Sequence, residues 1–262
     1  MKFAVNWSPS ARSLAAEGRI RPDLYKCHTN PDWVAEALAA GPAYCHLPLD
    51  LGAPDLAAVD FGLMRELSDR TGTPWWNVHL NAERRLFDRG DEEEIFERWQ
   101  RNSERIAREA AGRQIVGENV VYRGEDDPWL EPVSDPVLLR NLLEEFSFGF
   151  LLDTAHAMIT ARTLREDPHE FVEWLPVERL VEMHVSGVDL VRGRLGGSMP
   201  LTPDDEDLIR RCSHHIQAGA WPKPKLVALE YGGIGPIFDW RSDPETLERD
   251  FLTVERLFGR TR

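Results

Sequence analysis

Eight short apolar runs, rich in β-branched and aromatic residues, recur along this chain with longer amphipathic segments between them. Such alternation narrows the choice of fold sharply, because repeated strand–helix units build a parallel sheet covered by helices. The runs cover residues 2–8, 24–28, 43–49, 75–81, 114–121, 148–155, 180–187 and 225–232. The second run is the shortest, and its strand signal is the weakest of the eight.

The length of the chain suits one arrangement of these units. Eight strand–helix units in 262 residues match the size of a single TIM barrel. No internal repeat or Ser/Gly-rich linker divides the chain, so we predict an α/β fold with one (β/α)8 TIM-barrel domain over residues 1–262. Asp135-Pro136, Thr202-Pro203 and Asp243-Pro244 each place a capping residue before a proline, which predicts three helix starts.

The charge balance speaks against partners that carry phosphate backbones or anionic lipid headgroups. Asp and Glu total 45 against 31 Lys and Arg, so the mean surface, at a net charge of -14, repels phosphate backbones and anionic lipids. The opening residues, MKFAVNWSPS, contain no apolar run of signal-peptide length. Cys27, Cys45 and Cys212 form no CxxC pair and are predicted to be buried thiols. We therefore expect a soluble cytoplasmic protein, without a nucleic-acid or membrane partner, whose outer helices leave surface for a homodimer.

Ionisable side chains near the ends of the last six predicted strands are the strongest functional signal. A buried parallel strand is nearly all apolar, so such residues need an explanation. One per strand is present, in the order His46, His79, Glu118, Asp153, His184 and Glu230. In a TIM barrel these positions meet at the C-terminal face, where active sites are built. Imidazoles and carboxylates gathered there would stay unpaired without a cation, which predicts a divalent metal site.

Other interpretations of single residues remain open. Each strand-end residue taken alone could be an exposed loop residue or a satisfied polar group of the core. His156 follows the sixth strand and could bind metal or donate a hydrogen bond to substrate, and His28 could reach the same rim. The segments with Arg192 and Arg194, and the glycine-rich residues 232–235, stand where barrels often bind phosphate, although plain turns explain them equally well.

Four short motifs resemble the xylose isomerase-like TIM-barrel superfamily. They are Gly-Glu-Asn at 117–119, Leu-Asp-Thr-Ala-His-Ala at 152–157, Met-His-Val-Ser at 183–186 and Leu-Glu-Tyr at 229–231. The superfamily includes sugar and sugar-phosphate isomerases and epimerases, endonuclease IV, and multinuclear non-haem iron enzymes that oxidise peptide cysteines. The resemblance extends over about residues 2–255.

The epimerase branch implies one divalent metal and no organic cofactor. Its ligands would be Glu118, Asp153, His184 and Glu230, and the ion could be Mn, Zn, Fe, Co or Mg. The metal would stabilise an enediolate of a small sugar or sugar phosphate, while Glu118 and Glu230 remove and return a proton. His156 would orient a hydroxyl or phosphate group of the substrate. On this resemblance the chain is predicted to be a metal-dependent isomerase or epimerase.

His46 and His79 leave two other branches of the superfamily as alternatives. In endonuclease IV and the iron oxygenases, histidines at these strand ends hold a second metal, and the fifth-strand Glu bridges both ions. Both carboxylate oxygens of Glu118 would then be bound to metal ions, so Glu118 would be poorly suited to transfer protons. The residues after Leu49 also resemble the iron branch, but the Asp-x-His pair that completes a third metal site there is absent from residues 188–200. The alternatives are an iron oxygenase acting on a peptide, an endonuclease IV-like phosphodiesterase, and a non-catalytic metal-binding barrel.

Overall fold

The computed structural model describes residues 1–189, 196–235 and 241–260. Within these ranges the strands are β1 Lys2–Asn6, β2 Leu24–Cys27, β3 Ala43–Cys45, β4 Trp75–His79, β5 Gln114–Glu118, β6 Gly149–Asp153, β7 Leu180–Val185, β8 Gly187–Asp189, β9 Gly196–Met199 and β10 Leu226–Leu229. The helices are α1 Pro9–Ala16, α2 Pro31–Ala40, α3 Phe61–Thr71, α4 Glu92–Glu109, α5 Pro136–Glu145, α6 Thr154–Leu164, α7 Pro168–Trp174, α8 Pro203–Gln217 and α9 Pro244–Leu257.

Eight of the strands form one parallel sheet in the order β3-β2-β1-β10-β7-β6-β5-β4. Each of the eight predicted runs contains one of these strands, so the predicted parallel α/β fold is confirmed. The two edge strands approach each other where the chain leaves β3: Asp50 and His79 form a parallel bridge, and the His79 N–H donates to the Leu49 carbonyl at 2.7 Å. This arrangement is consistent with a TIM barrel.

A short antiparallel pair of strands after β7 was not predicted. The seventh run was expected to continue to residue 187, but β7 ends at Val185, and Gly187 pairs instead with Met199 of β9. A Cβ atom on Gly187 would lie 1.8 Å from the Pro200 carbonyl oxygen, so only glycine allows these two backbones to approach this closely. The two strands are consecutive and only three and four residues long, too short for strand periodicity to report.

The sheet separates two apolar layers, and the strands alternate between them. Residues facing the inside of the sheet form one small cluster of Ala4, Tyr44, Trp75, Val116, Leu151, Val181, Leu226 and Ala228, with Leu24 packed against it. The intervening strand residues pack outward against the helices in a much larger cluster. This period of two decides which polar side chains enter the centre of the sheet.

Local predictions about caps and thiols are also confirmed. The side chains of Asp135, Thr202 and Asp243 each accept a hydrogen bond from a backbone N–H in the first turn of the helix that follows. All three cysteines are buried free thiols. Among the described residues no helix combines the length and apolarity that a membrane crossing requires.

Candidate metal centre

The six predicted strand-end residues converge at the C-terminal edge of the sheet. Each of four lies two positions after a residue of the inner apolar cluster: His46 after Tyr44, Glu118 after Val116, Asp153 after Leu151 and Glu230 after Ala228. Sheet register then places them side by side. His79 pairs with Glu118, and Asp153 pairs with His184. The inward face of each strand and the parallel register together build the site.

Glu118 lies at the middle of this group and is 2% exposed. Its Oε2 faces His46 Nε2 at 3.4 Å and His79 Nε2 at 3.6 Å. Its Oε1 faces His184 Nδ1 at 3.6 Å and His156 Nδ1 at 3.9 Å. The two carboxylate oxygens therefore point toward two different pairs of histidines.

Carboxylates orient two of these rings. The Asp50 carboxylate accepts a hydrogen bond from His79 Nδ1 at 3.0 Å, which leaves Nε2 free on the side of Glu118. The Glu182 carboxylate accepts from His184 Nε2 at 3.0 Å, which turns Nδ1 toward Glu118 and Glu230. Metal-binding histidines usually have one ring nitrogen held by an oxygen acceptor in this way.

His156 and Asp153 are held by the end of β5. His156 Nδ1 donates to the Asn119 carbonyl at 2.9 Å, so its Nε2 remains available. The Asn119 side chain donates to the Asp153 carbonyl at 3.0 Å and accepts from the Asp153 N–H at 2.8 Å. Asp153 also caps α6 by accepting from the His156 N–H at 2.8 Å. Asn119, part of the Gly-Glu-Asn motif, thus fixes the positions of two candidate ligands.

His46 is held as a neutral imidazole. The Asn77 amide contacts both backbone groups of Leu47, which fixes its orientation, and its Nδ2 donates to His46 Nε2 at 3.1 Å. Burial lowers the pKa of His46 well below its usual value, and the nearby Lys26 lowers it further. A neutral imidazole nitrogen is the form of histidine that binds a metal.

Electrostatics around Glu118 favour its charged form. Burial acts to raise its pKa, but the neighbouring His184, His46 and His79 outweigh that and hold the pKa well below the usual value. Burial also acts to lower the pKa of His79, yet Glu118 and Asp50 raise it overall. The site therefore presents a buried carboxylate among imidazoles, an arrangement that a cation would stabilise.

Sequence reasoning missed Lys26, which reaches the same centre from β2. This side chain is 6% exposed, its ammonium forms an ion pair with Glu230, and its Nζ lies 3.4 Å from His184 Nδ1. Burial lowers the pKa of Lys26, against the opposing effect of Glu118, Glu182 and Asp153. The sequence does contain a signal for Lys26. It lies two positions after Leu24 in a strand whose side chains alternate between the two faces of the sheet, so the two residues share a face.

Glu182 was also missed, although it lies two positions before His184 on the same face of β7. Its carboxylate is 1% exposed and accepts from Tyr44 Oη at 2.9 Å and from Trp75 Nε1 at 2.5 Å. With the His184 contact, three donors converge on one buried carboxylate. The i, i+2 spacing of two polar residues in an apolar strand is the signal that could have found it.

The donor set fits a metal. Glu118 Oε2 is a buried side-chain atom that has no hydrogen-bond partner within the described part of the chain. Ligands about 2.1 Å from a tetrahedral ion are about 3.4 Å apart, close to the spacing of Glu118 Oε2 from the two imidazoles. Three overlapping groups have ligand atoms within 4.8 Å of one another: His46 with Glu118 and His184, Glu118 with Asp153 and His156, and Asp153 with His184 and Glu230.

A cavity of about 260 Å³ opens above these residues. His28 and Ser198 line it together with Lys26, His79, Glu118, His156 and Glu230, so His28 does reach the rim. Arg192 and Arg194, considered above for phosphate binding, lie outside the described residues. Gly232 and Gly233 adopt positive φ values of 83° and 156° in the turn after β10.

Comparison with known proteins places the fold. No protein-family model matches the chain. It is 24% identical over 139 residues to a UPF0276 protein of Acaryochloris marina, covering 52% of this chain and 44% of the relative. It is 23% identical over 245 residues to a UPF0276 protein of Anaeromyxobacter sp. (strain Fw109-5), covering 89% of this chain and 74% of the relative. The chain thus spans less than half the length of the first relative.

Solved structures are similar along the whole chain. Endonuclease IV from Thermus thermophilus has a TM-score of 0.62 at 17% identity, with 100% of both chains covered. D-psicose 3-epimerase from Clostridium cellulolyticum H10, solved with D-tagatose, has a TM-score of 0.60 at 12% identity, with 98% of both chains covered. At this level of identity the likeness concerns the fold, and it agrees with the resemblance predicted from the four motifs.

Proposed function

Starting from the fold of the xylose isomerase-like TIM barrels, we propose that this chain is a single-domain enzyme with a two-ion centre bridged by Glu118. The reaction we propose is oxidation of a substrate by dioxygen at non-haem iron, and the resemblance to the iron branch implies a peptide as the substrate class. One observation carries the proposal: each oxygen of the buried Glu118 carboxylate faces a different pair of histidines.

The donor set on one side of Glu118 supports iron. Two histidines and one carboxylate, here His46, His79 and Glu118, are the ligand combination typical of non-haem Fe(II) oxygenases. On the other side, Asp153, His184 and Glu230 form a second set of possible ligands, and the remaining Glu118 oxygen faces His184. Mixed imidazole and carboxylate ligands also serve Mn, Co and Zn, so elemental analysis has to identify the ion.

Residues after β3 support His79 as a ligand. The segment that resembles the iron branch, Leu49-Asp50-Leu51-Gly52, is the part of the chain that holds His79 in place. The Asp50 carboxylate binds the His79 ring, and the Leu51 N–H donates to the His79 carbonyl at 3.1 Å. A Cβ atom on Gly52 would lie 2.2 Å from the Asn81 carbonyl oxygen, which explains the glycine.

Bound iron would supply dioxygen activation, and the protein supplies position and charge. Asp50 and Glu182 set which ring nitrogens of His79 and His184 face the centre. His156 presents its free Nε2 to the cavity, where it can hold or donate a proton to a bound substrate. Burial of Glu118 keeps bulk water from the carboxylate that would bridge the ions.

A second candidate is the sugar isomerase or epimerase. Glu118, Asp153, His184 and Glu230 are present where that branch places its single metal, and a cavity of about 260 Å³ suits a small sugar. In this mechanism Glu118 and Glu230 would transfer protons. The ion pair between Glu230 and Lys26, and the contact of Glu118 with histidines on both sides, weigh against free proton-transfer roles. An endonuclease is disfavoured by the net charge of -14.

Metal content separates the candidates. Protein purified without chelators is analysed for metals, and its visible spectrum is recorded before and after exposure to oxygen. We expect two iron ions per chain and a charge-transfer band that appears with oxygen. One exchangeable Mn, Mg or Co per chain, with turnover of ketoses, would instead establish the isomerase.

Two variants test the assignment of Glu118. Glu118→Gln removes the bridging charge and should lower the bound iron from two ions to one or none. Glu93→Gln, an exposed glutamate on α4, is the matched control and should keep both ions. If Glu118→Gln keeps two tightly bound ions, Glu118 is not the bridge and the proposal fails.

A further inference from the structure

Lys26 places a positive charge inside a cluster of candidate metal ligands. Its inward position follows from the alternation of β2, in which the flanking Tyr25 and Cys27 pack outward against the helices. The side chain is 6% exposed and enters the region around His184 and Glu230. A lysine this deeply buried is rare unless a carboxylate pairs with it.

The ammonium contacts the atoms that would hold an ion. Asp153, His184 and Glu230 form one of the three groups with metal-binding spacing, and His184 Nδ1 lies 3.0 Å from Glu230 Oε1. Lys26 Nζ pairs with that same Glu230 oxygen and lies 3.4 Å from the same His184 nitrogen. An ion bound to both atoms would sit about 2.0–2.2 Å from each, directly against the ammonium.

Two cations cannot share these atoms without strong repulsion, because the buried surroundings screen charge poorly. Within the described residues, the Lys26 ammonium lies within ion-pair or hydrogen-bond distance of Glu230 and His184, and of neither His46 nor His79. The two sides of the centre therefore differ in what already neutralises their carboxylates.

We propose that Lys26 is a built-in cation that competes with the second metal ion for His184 and Glu230. The first ion binds at His46, His79 and Glu118, while the second binds only by displacing the Lys26 ammonium from Glu230. Loading is then sequential, with a tight and a weak step. This inference rests on the two-ion centre proposed above, and it adds a residue that tunes occupancy of one half of that centre.

Titration of metal-depleted protein with Mn²⁺ tests the competition. Isothermal calorimetry gives the two dissociation constants, and electron paramagnetic resonance reports the magnetic coupling of neighbouring Mn²⁺ ions. In Lys26→Met the ammonium is lost and the length of the side chain is kept. We expect the second Mn²⁺ to bind about 10- to 100-fold tighter than in the wild type, the range typical of changes beside metal ligands. The coupled signal should then form at lower Mn²⁺ concentration.

Lys225→Met is the matched control. Lys225 precedes β10 at the opposite end of the sheet, is exposed, and contacts Gln114. The Lys225→Met substitution removes the same charge from the chain without contacting the candidate metal centre. Both dissociation constants should therefore equal those of the wild type. If Lys26→Met does not fold, Lys26→Gln serves instead, because it keeps a hydrogen-bond donor for Glu230 without the charge.

The outcomes separate the two proposals. If the second Mn²⁺ binds Lys26→Met and the wild type equally well, the role of Lys26 is wrong and the two-ion centre stands. If neither protein binds a second Mn²⁺ at any concentration, the two-ion centre itself fails. If Lys225→Met tightens the second step as much as Lys26→Met does, the effect is one of total charge and the inference is overturned.

Discussion

Replacing Glu182 with Gln changes one buried carboxylate into an amide of the same shape, so no cavity forms. The two Glu182 oxygens accept from Tyr44 Oη, His184 Nε2 and Trp75 Nε1, at 2.9, 3.0 and 2.5 Å. An amide has a single oxygen. If that oxygen takes the position that faces Tyr44 and His184, the amide NH2 faces the Trp75 N–H, and one buried donor loses its acceptor. In the opposite orientation the Tyr44 hydroxyl can accept from the amide NH2, so only the His184 Nε2–H loses its acceptor.

The one acceptor lost in either orientation sets the magnitude. One unsatisfied buried donor costs about 1–3 kcal/mol, so we expect Glu182→Gln to lower the free energy of unfolding by that amount. The change also removes the negative charge that raises the basicity of His184, which should weaken metal binding about 10- to 100-fold. Urea denaturation of the metal-free protein measures the first effect, and calorimetric metal titration measures the second.

Glu178→Gln is the control, because Glu178 is exposed and pairs with Arg140 on the outer surface. It should change neither quantity appreciably. A loss of stability in Glu182→Gln with unchanged metal affinity would refute the orienting role of Glu182 and leave it a purely structural residue. An unchanged stability would refute the buried network itself.

Three further predictions concern the core, the thiols and the metal. Trp76→Ala should lower the free energy of unfolding in urea by about 3–5 kcal/mol, because the indole is fully buried and donates to Ser68. Burial raises the pKa of Cys212 to about 12, so its thiol stays protonated at pH 8 and should react with a disulfide reagent only after unfolding. Fast native-state labelling of Cys212 would contradict this. Chelation should lower the midpoint of thermal unfolding by about 5–10 °C per ion held at 100-fold its dissociation constant, and scanning calorimetry with and without chelator measures the shift.

Much of the fold and part of the site follow from local patterns. The alternation of apolar runs with amphipathic segments predicts the parallel sheet, because a strand buried on both faces has to be apolar throughout. Deviations from that rule identify His46, Glu118, Asp153 and Glu230, each an ionisable residue in a position that burial would otherwise reserve for an apolar one.

The contacts among those residues depend on register and long-range pairing. Lys26 and Glu182 belong to the same inward faces, but nothing in the sequence says that the Lys26 amine meets Glu230, which follows β10 two strands away in the sheet and lies 204 positions along the chain. Asp50 likewise reaches His79 only because the chain after β3 pairs with the end of β4. The β8–β9 pair is a further feature that periodicity does not contain, because its strands are only three and four residues long.

By itself, the sequence determined the α/β fold and the strand ends at which ionisable residues are concentrated, and it predicted that those ends bind a cation. The alternation of side chains along a strand and the apolar character of buried positions are patterns that a few neighbouring residues already show. Only the tertiary structure decided that Glu118 stands between two pairs of histidines and that a lysine already occupies part of the centre. The reason is physical: the register of parallel strands and the packing of inward side chains set distances of 3–4 Å between residues that the chain separates by tens to hundreds of positions.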